Sequence, residues 1–206
     1  RCRAAFGNVP RPQLGPDQGG HIFRWNYLPF SKKVFSYLGS YGDIPDGDYL
    51  VWIDADVYAK SNVPISFFND LLKGGPLGPD NASSEWDIIW LARGVKWYHG
   101  DTGFFMIKMS PVTRNFLDTM REIYLSGFLF DLKEWHDAFV FTALLRLFNP
   151  LLKIKSLNLD PEALHPFTTS PLALYFDHKK GPAKHEGDKA ALTPPQQQPQ
   201  QGPPIS

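Results

Sequence analysis

The feature that most constrains this chain is the apolar run Tyr49-Leu50-Val51-Trp52-Ile53, which stops without a polar transition at Asp54-Ala55-Asp56. Aromatic and β-branched residues in an unbroken run, preceded by the turn formers Pro45-Asp46-Gly47-Asp48, suit a strand covered on both faces, as strands of parallel sheets are. The acids then fall at the strand's carboxyl end, the side on which open α/β sheets keep their ligand crevices. Two carboxylates separated by one residue project to the same side of an extended chain and can address one divalent cation together. A turn or a helix cap would use the same acids for backbone reasons alone.

Around this strand the pattern alternates. Val34, Phe35 and Leu38 predict a helix over 31–41, closed by Gly39 and Gly42. Pro64 opens a second helix to about Leu72, where its missing N–H costs little. Residues 87–92 and 104–108 read as strands, and the polar and aromatic stretch 93–103 between them is the expected binding loop. Pro111 begins a helix with Phe116, Leu117, Met120, Ile123 and Tyr124 on one face and a stop at Gly127. The helix over 136–148 is apolar on nearly all sides and is expected to be buried. Residues 151–157 give a last strand. The expected fold class is α/β, a mostly parallel sheet flanked by helices on both faces.

With 206 residues, 43% of them hydrophobic, the chain fills one core rather than two. The expected organisation is an irregular segment 1–30, one domain over 31–187, and a disordered Pro/Gln-rich tail over 188–206. No strand precedes Ser31 and the chain starts at Arg1, which reads as an N-terminally truncated domain. Lys+Arg and Asp+Glu balance at 21 each, so no net field draws the chain to nucleic acid or an anionic membrane, and no apolar stretch reaches the length of a membrane span. Cys2, the single cysteine, excludes an internal disulfide, and the expectation is a cytoplasmic protein.

Val51-Trp52-Ile53-Asp54-Ala55-Asp56-Val57 resembles the DxD segment of GT-A-fold glycosyltransferases, and His178-Lys179-Lys180-Gly181-Pro182-Ala183-Lys184 resembles the H-x-x-G-x-x-K element of their glycogenin-like retaining members. Where that family continues with Pro-Trp, this chain has His185-Glu186. The resemblance implies a Mn²⁺ or Mg²⁺ ion held by Asp54, Asp56 and His178. It also implies a diphosphate held by Gly181 and Lys184 with help from Lys180, a UDP- or GDP-sugar donor, and retention of anomeric configuration. The acceptor, whether glycan, lipid or protein, is left open. Imidazole and carboxylate suit such an ion, glycine lets backbone approach an anion, and lysine is a mobile point charge.

Two further stretches are candidates. Asp101-Thr102-Gly103 resembles the polar turn before a central strand in these enzymes, where Asp101 would be catalytic and Thr102 and Gly103 would touch substrate; an ordinary hairpin turn uses the same residues. In Lys133-Glu134-Trp135-His136-Asp137, Asp137 or Glu134 would act on the acceptor, Trp135 would stack on a sugar face with His136 beside it, or Asp137 would simply cap the following helix. Trp97 is a candidate acceptor platform. The stretches around Trp135 and Tyr175 also resemble uncharacterised transferase-like proteins of bacteria and phages. Two other functions fit the same residues. One is a haloacid-dehalogenase-like phosphatase using Asp54 and Asp56, and the other is a transferase-like domain that binds carbohydrate without turnover.

Overall fold

Asp101–Lys108, the longest strand, carries a large apolar residue at nearly every position after Gly103 and is buried along almost its whole length. It can be so only between two covered faces. In the computed structural model, which describes residues 27–73, 86–94, 99–163 and 165–178, this strand sits inside a four-stranded sheet. In chain order the strands are β1 (Tyr49–Ile53), β2 (Val57–Ala59), β3 (Ile88–Leu91), β4 (Asp101–Lys108), β5 (Ile154–Ser156) and β6 (Phe176–His178). The main sheet has the order β1-β4-β3-β5, and β2 pairs with β6 in a separate two-stranded ribbon.

The sheet is mixed rather than mostly parallel. β4 runs antiparallel to both β1 and β3, and only β3 and β5 pair in parallel. β1, β3 and β5 nevertheless share one direction, because β4 opposes the two it separates. Their carboxyl ends therefore lie along one edge of the sheet, together with the start of β4.

Alternation along β4 feeds two cores. Phe105 and Ile107, with Leu50, Ile88 and Trp90, pack against α1 (Tyr27–Leu38), α3 (Pro111–Leu125) and α4 (Asp137–Phe148). Phe104 and Met106, with Ile89 and Leu91, pack against α2 (Ile65–Leu72) and the returning segment that carries Phe167, Leu172 and Phe176. Helices thus cover both faces, as the patterning requires. Each fully buried Phe, Ile or Leu contributes roughly 1.5–3 kcal/mol, which is why the strand with most such residues occupies an interior position.

The element ends are set locally. α1 starts at Tyr27, before the expected Ser31, because Pro29 falls in the first turn, where its absent N–H has no intrahelical partner to lose. It ends at Leu38, and Tyr41 lies in a separate 3₁₀ turn. Pro64 is the cap before α2 rather than its first residue. α3 begins with a capping box between Ser110 and Thr113, with Pro111 just inside, and stops before Gly127, whose φ of 75° few other residues adopt without strain. β5 covers only the middle of the expected last strand, because Asn149–Leu151 forms a 3₁₀ turn. No helix among the described residues is long and apolar enough to cross a membrane. The expected irregular start before Tyr27 and the Pro/Gln-rich tail lie outside the described residues.

Candidate functional site

β1 delivers Asp54 one residue past its end, and the pairing with β4 continues there, since the Asp54 N–H donates to the Gly103 carbonyl at 3.0 Å. The chain then turns tightly, with the Val57 N–H donating to the Asp54 carbonyl at 3.0 Å, and enters β2. β2 pairs with β6 in the register Val57↔His178. That pairing carries His178 across 121 intervening residues to the side of Asp56, where His178 Nε2 and Asp56 Oδ1 lie 3.1 Å apart. Asp54, Asp56 and His178 each offer one ligand atom within 4.8 Å of the others, so the three residues expected to share a cation are brought together.

Two observations bear on whether a cation fits. Ligand atoms at adjacent corners of an octahedron of radius ~2.1 Å are roughly 3.0 Å apart, close to the His178–Asp56 separation. The His178 side chain is 5% exposed, and its Nδ1 has no hydrogen-bond partner among the described residues. The distance fits Nε2 as the ligand; Nδ1 would then carry the proton, so its lack of a partner is separate from the cation. The ring lies so close to Gly103 that a Cβ there would be 3.1 Å from His178 Cε1 and 2.9 Å from Asp101 Oδ1. A side chain at 103 would therefore have to displace the Asp101 carboxylate and crowd the His178 ring. Two carboxylates and an imidazole suit Mn²⁺ or Mg²⁺ when water or phosphate oxygens complete the shell.

The other half of the site is built on Lys33, which sequence reading passed over. From α1 its Nζ reaches Asp54 Oδ1 at 2.7 Å and Asp137 Oδ2 at 2.8 Å. It also donates to the Thr102 carbonyl at 2.8 Å, with the Thr102 hydroxyl oxygen as a longer neighbour at 3.1 Å. The Thr102 hydroxyl donates in turn to Asp137 Oδ2 at 2.6 Å, and Trp52 Nε1 donates to Asp54 Oδ1 at 2.8 Å. Burial by itself would push the Asp137 carboxyl up, but Lys33 and the hydrogen bonds from Lys33 and Thr102 outweigh it and hold the group below its ordinary value. Burial would likewise lower the Lys33 ammonium, and the charges of Asp137 and Asp54 outweigh it and raise it. Lys33, Asp54, Asp137 and the Thr102 hydroxyl form one closed network.

This network reassigns several expected roles. Asp137 does not cap α4; His136 does, its Nδ1 accepting from the Phe139 N–H at 3.3 Å, and Asp137 is the first helical residue. A carboxylate that is 3% exposed and held well ionised is a poor proton acceptor near neutral pH, so geometry makes Asp137 an anchor for Lys33. Asp101 is not in a turn but opens β4, at a point where the β3–β4 register jumps from Trp90↔Phe105 to Leu91↔Asp101. Its Oδ1 accepts from the Gly103 N–H at 2.8 Å and its Oδ2 faces Arg93 Nη2 at 3.1 Å, so both oxygens serve the fold of this irregular strand. Trp135 packs edge-on against Phe130, with ring centroids 5.1 Å apart, and borders the first core.

His99, Glu134 and His136 also place ligand atoms within 4.8 Å of one another. Their hydrogen bonds argue against a cation there. If His136 Nδ1 accepts the Phe139 N–H, its proton is on Nε2, which donates to Glu134 Oε2 at 2.8 Å and leaves no lone pair for a metal. Glu134 and His136 thus form the buried support of the α4 cap. Trp97, Lys180, Gly181 and Lys184 lie outside the described residues. Comparisons with protein-family models, with curated proteins and with solved structures found no match.

Proposed function

We propose that this chain is a metal-dependent glycosyltransferase of the GT-A kind, moving a sugar from a nucleoside-diphosphate donor to an acceptor hydroxyl. The observation that carries the reading is the convergence of Asp54, Asp56 and His178 at the carboxyl end of β1. Asp56 and His178 would hold Mn²⁺ or Mg²⁺, with the oxygen of Asp54 that Lys33 and Trp52 do not engage as support. Such a cation, when bound, supplies positive charge to a diphosphate leaving group.

The chain's own residues prepare this step in definable ways. Lys33 and Trp52 fix the Asp54 carboxylate in one orientation, so that it need not reorganise when ligand arrives. Gly103 leaves room for the His178 ring and aligns the end of β1 through its carbonyl. In the transfer itself the acceptor hydroxyl passes its proton to an oxygen of the departing diphosphate as its own oxygen bonds to the anomeric carbon. The bond from that carbon to the diphosphate oxygen breaks with both electrons leaving on the diphosphate. Lys180, Gly181 and Lys184 belong to the same reading as the diphosphate cradle, and retention of configuration follows if the glycogenin-like resemblance holds.

Calorimetric titration of UDP and then GDP, with and without Mn²⁺, tests the proposal on the wild-type chain and on Asp56→Ala. Saturable binding that needs Mn²⁺ and is lost in Asp56→Ala is the expected result. Absence of nucleotide binding under all conditions would overturn the reading, and Mg²⁺-dependent hydrolysis of a phosphate ester by the same protein would replace it with the phosphatase alternative.

A further inference from the structure

Lys33 reaches from α1 into the candidate cation site, and every bond that its ammonium can donate is already taken. Its three N–H groups are matched by Asp54 Oδ1 at 2.7 Å, Asp137 Oδ2 at 2.8 Å and the Thr102 carbonyl at 2.8 Å. The side chain is only 15% exposed, so solvent screens its charge weakly. Burial works against the ammonium, but the charges of Asp137 and Asp54 outweigh it and keep the group charged at neutral pH. In this arrangement the charge of Lys33 acts through Asp54 rather than on a ligand of its own.

Orientation and charge pull in opposite directions there. Trp52 Nε1 donates to the same Asp54 oxygen at 2.8 Å, so the indole can fix the carboxylate's orientation without Lys33. What Lys33 alone adds is a full positive charge on a carboxylate that a divalent cation would share. Like charges at such close range in a partly buried site repel strongly. A carboxylate that already carries two N–H bonds and an ammonium also has less negative charge to offer a metal. The cation would then rest mainly on Asp56 and His178, whose ligand atoms lie 3.1 Å apart, with Asp54 held back.

We infer that Lys33 is a resident cation of the site, which partly neutralises Asp54 and so weakens the hold that the protein alone has on Mn²⁺ or Mg²⁺. The inference rests on the reading of Asp54, Asp56 and His178 as a cation site. It makes Lys33 a positioning residue with a definite sign, one that steadies the fold and lowers cation affinity. These ions keep several shell positions for water or phosphate oxygens, and an ion that the protein holds weakly depends on those oxygens the more.

The test is titration of the full chain with Mn²⁺ alone, without nucleotide, followed by the electron paramagnetic resonance of the free aquo ion, with circular dichroism to verify folding. Lys33→Met should bind Mn²⁺ at least roughly 10-fold more tightly than wild type. The double variant Lys33→Met/Asp137→Asn leaves no carboxylate enclosed without its countercharge, and so stays folded where the single variant does not. It should still gain at least about 3-fold, less than the single variant because the Asp137 charge goes too. Trp52→Phe frees the same Asp54 oxygen of one bond but keeps the ammonium, and should gain nothing. Adding Asp56→Ala should abolish the gain in either Lys33 variant. A merely structural role for Lys33 predicts a loss of binding and never a gain. Equal or weaker Mn²⁺ binding by the folded double variant, or an equal gain in Trp52→Phe, would overturn the inference, and the cation site would stand so long as binding still needs Asp56. Absence of Asp56-dependent Mn²⁺ binding in wild type and in every variant would overturn the cation site and the inference together.

Discussion

Asp54 and Asp56 come from one motif, but the chain turns at 54–57 rather than staying extended, and the fold treats them differently. Asp54 is bound inward, with one carboxylate oxygen shared between Lys33 and Trp52 and its backbone tied to Gly103. Asp56 is bound outward, beside His178 on the short ribbon of β2 and β6. The inner acid completes a charge network that fastens α1, β1, β4 and α4 together, whereas the outer acid faces the His178 imidazole on the β2–β6 ribbon. Proximity in sequence puts both acids at the sheet edge, and the partner each one finds sets the role proposed for it, stability for Asp54 and ligand for Asp56.

The sharpest way to break this division is Lys33→Met. The change leaves Asp137 enclosed without its countercharge, and removing one member of a buried pair costs about 3–5 kcal/mol. Urea unfolding at pH 7 should show a loss of that size, and a loss under 1 kcal/mol would mean the inner network is not holding the fold. The pH dependence has a definite sign. The folded Asp137 carboxyl is held low, so its contribution is complete above the unfolded value of about 3.9 and fades as pH falls through its lower folded value. The Lys33 ammonium is held high, so its contribution is complete below about 10.4 and fades as pH rises through its higher folded value. The gap between wild type and Lys33→Met should be widest between about pH 5 and 9 and narrower at pH 3.5, where the carboxyl is largely protonated in the unfolded chain and in the variant. A gap that stays constant into acid would show that it comes from packing of the lysine stem.

Thr102→Val is a smaller cut into the same network. It removes the hydroxyl that donates to Asp137 and leaves shape nearly unchanged, so a loss of about 1.5–3 kcal/mol is expected, the range for hydrogen bonds to charged groups. A neutral result would mean that Lys33 alone satisfies Asp137.

The inner and outer halves of the site also differ in how far sequence revealed them. Asp56 and His178, like Asp54, were legible as candidates because strand-terminal D-x-D and H-x-x-G-x-x-K resemble local spellings of ligand chemistry. Lys33 was not, since a lysine on a helix looks like any solvated cation until the helix is docked against β1 and α4. The β2–β6 ribbon, which brings His178 to Asp56, was missed because strands of three residues carry no readable period. Asp101-Thr102-Gly103 has turn composition, and its use as the irregular start of β4 depends on the register jump opposite Leu91 and on the His178 ring beside Gly103. The cap of α4 slipped by one residue, from Asp137 to His136, because Lys33 competes for the carboxylate. The sheet's direction followed from β4 pairing between β1 and β3, a choice that alternation of strands and helices along the chain does not encode. What was read well, the helices α3 and α4 and the apolar strands, is what period and caps determine locally.

The smallest stability effect belongs to Asp56→Ala, and it is the most informative one. Asp56 is a quarter exposed, with its side chain 25% accessible, and the variant should unfold within about 0.5 kcal/mol of wild type when no metal is added. With Mn²⁺ the two should separate. A ligand that binds only the folded state adds RT ln(1 + [L]/Kd), about 2.7 kcal/mol at a hundredfold excess over Kd, and Asp56→Ala should gain almost none of it. Measured side by side, Lys33→Met would then be a variant that is unstable with or without Mn²⁺, and Asp56→Ala one that is stable but indifferent to it. If Asp56→Ala were instead as damaging as Lys33→Met in the absence of metal, the His178–Asp56 contact would be an ion pair of the fold, and the cation would lose its place between them.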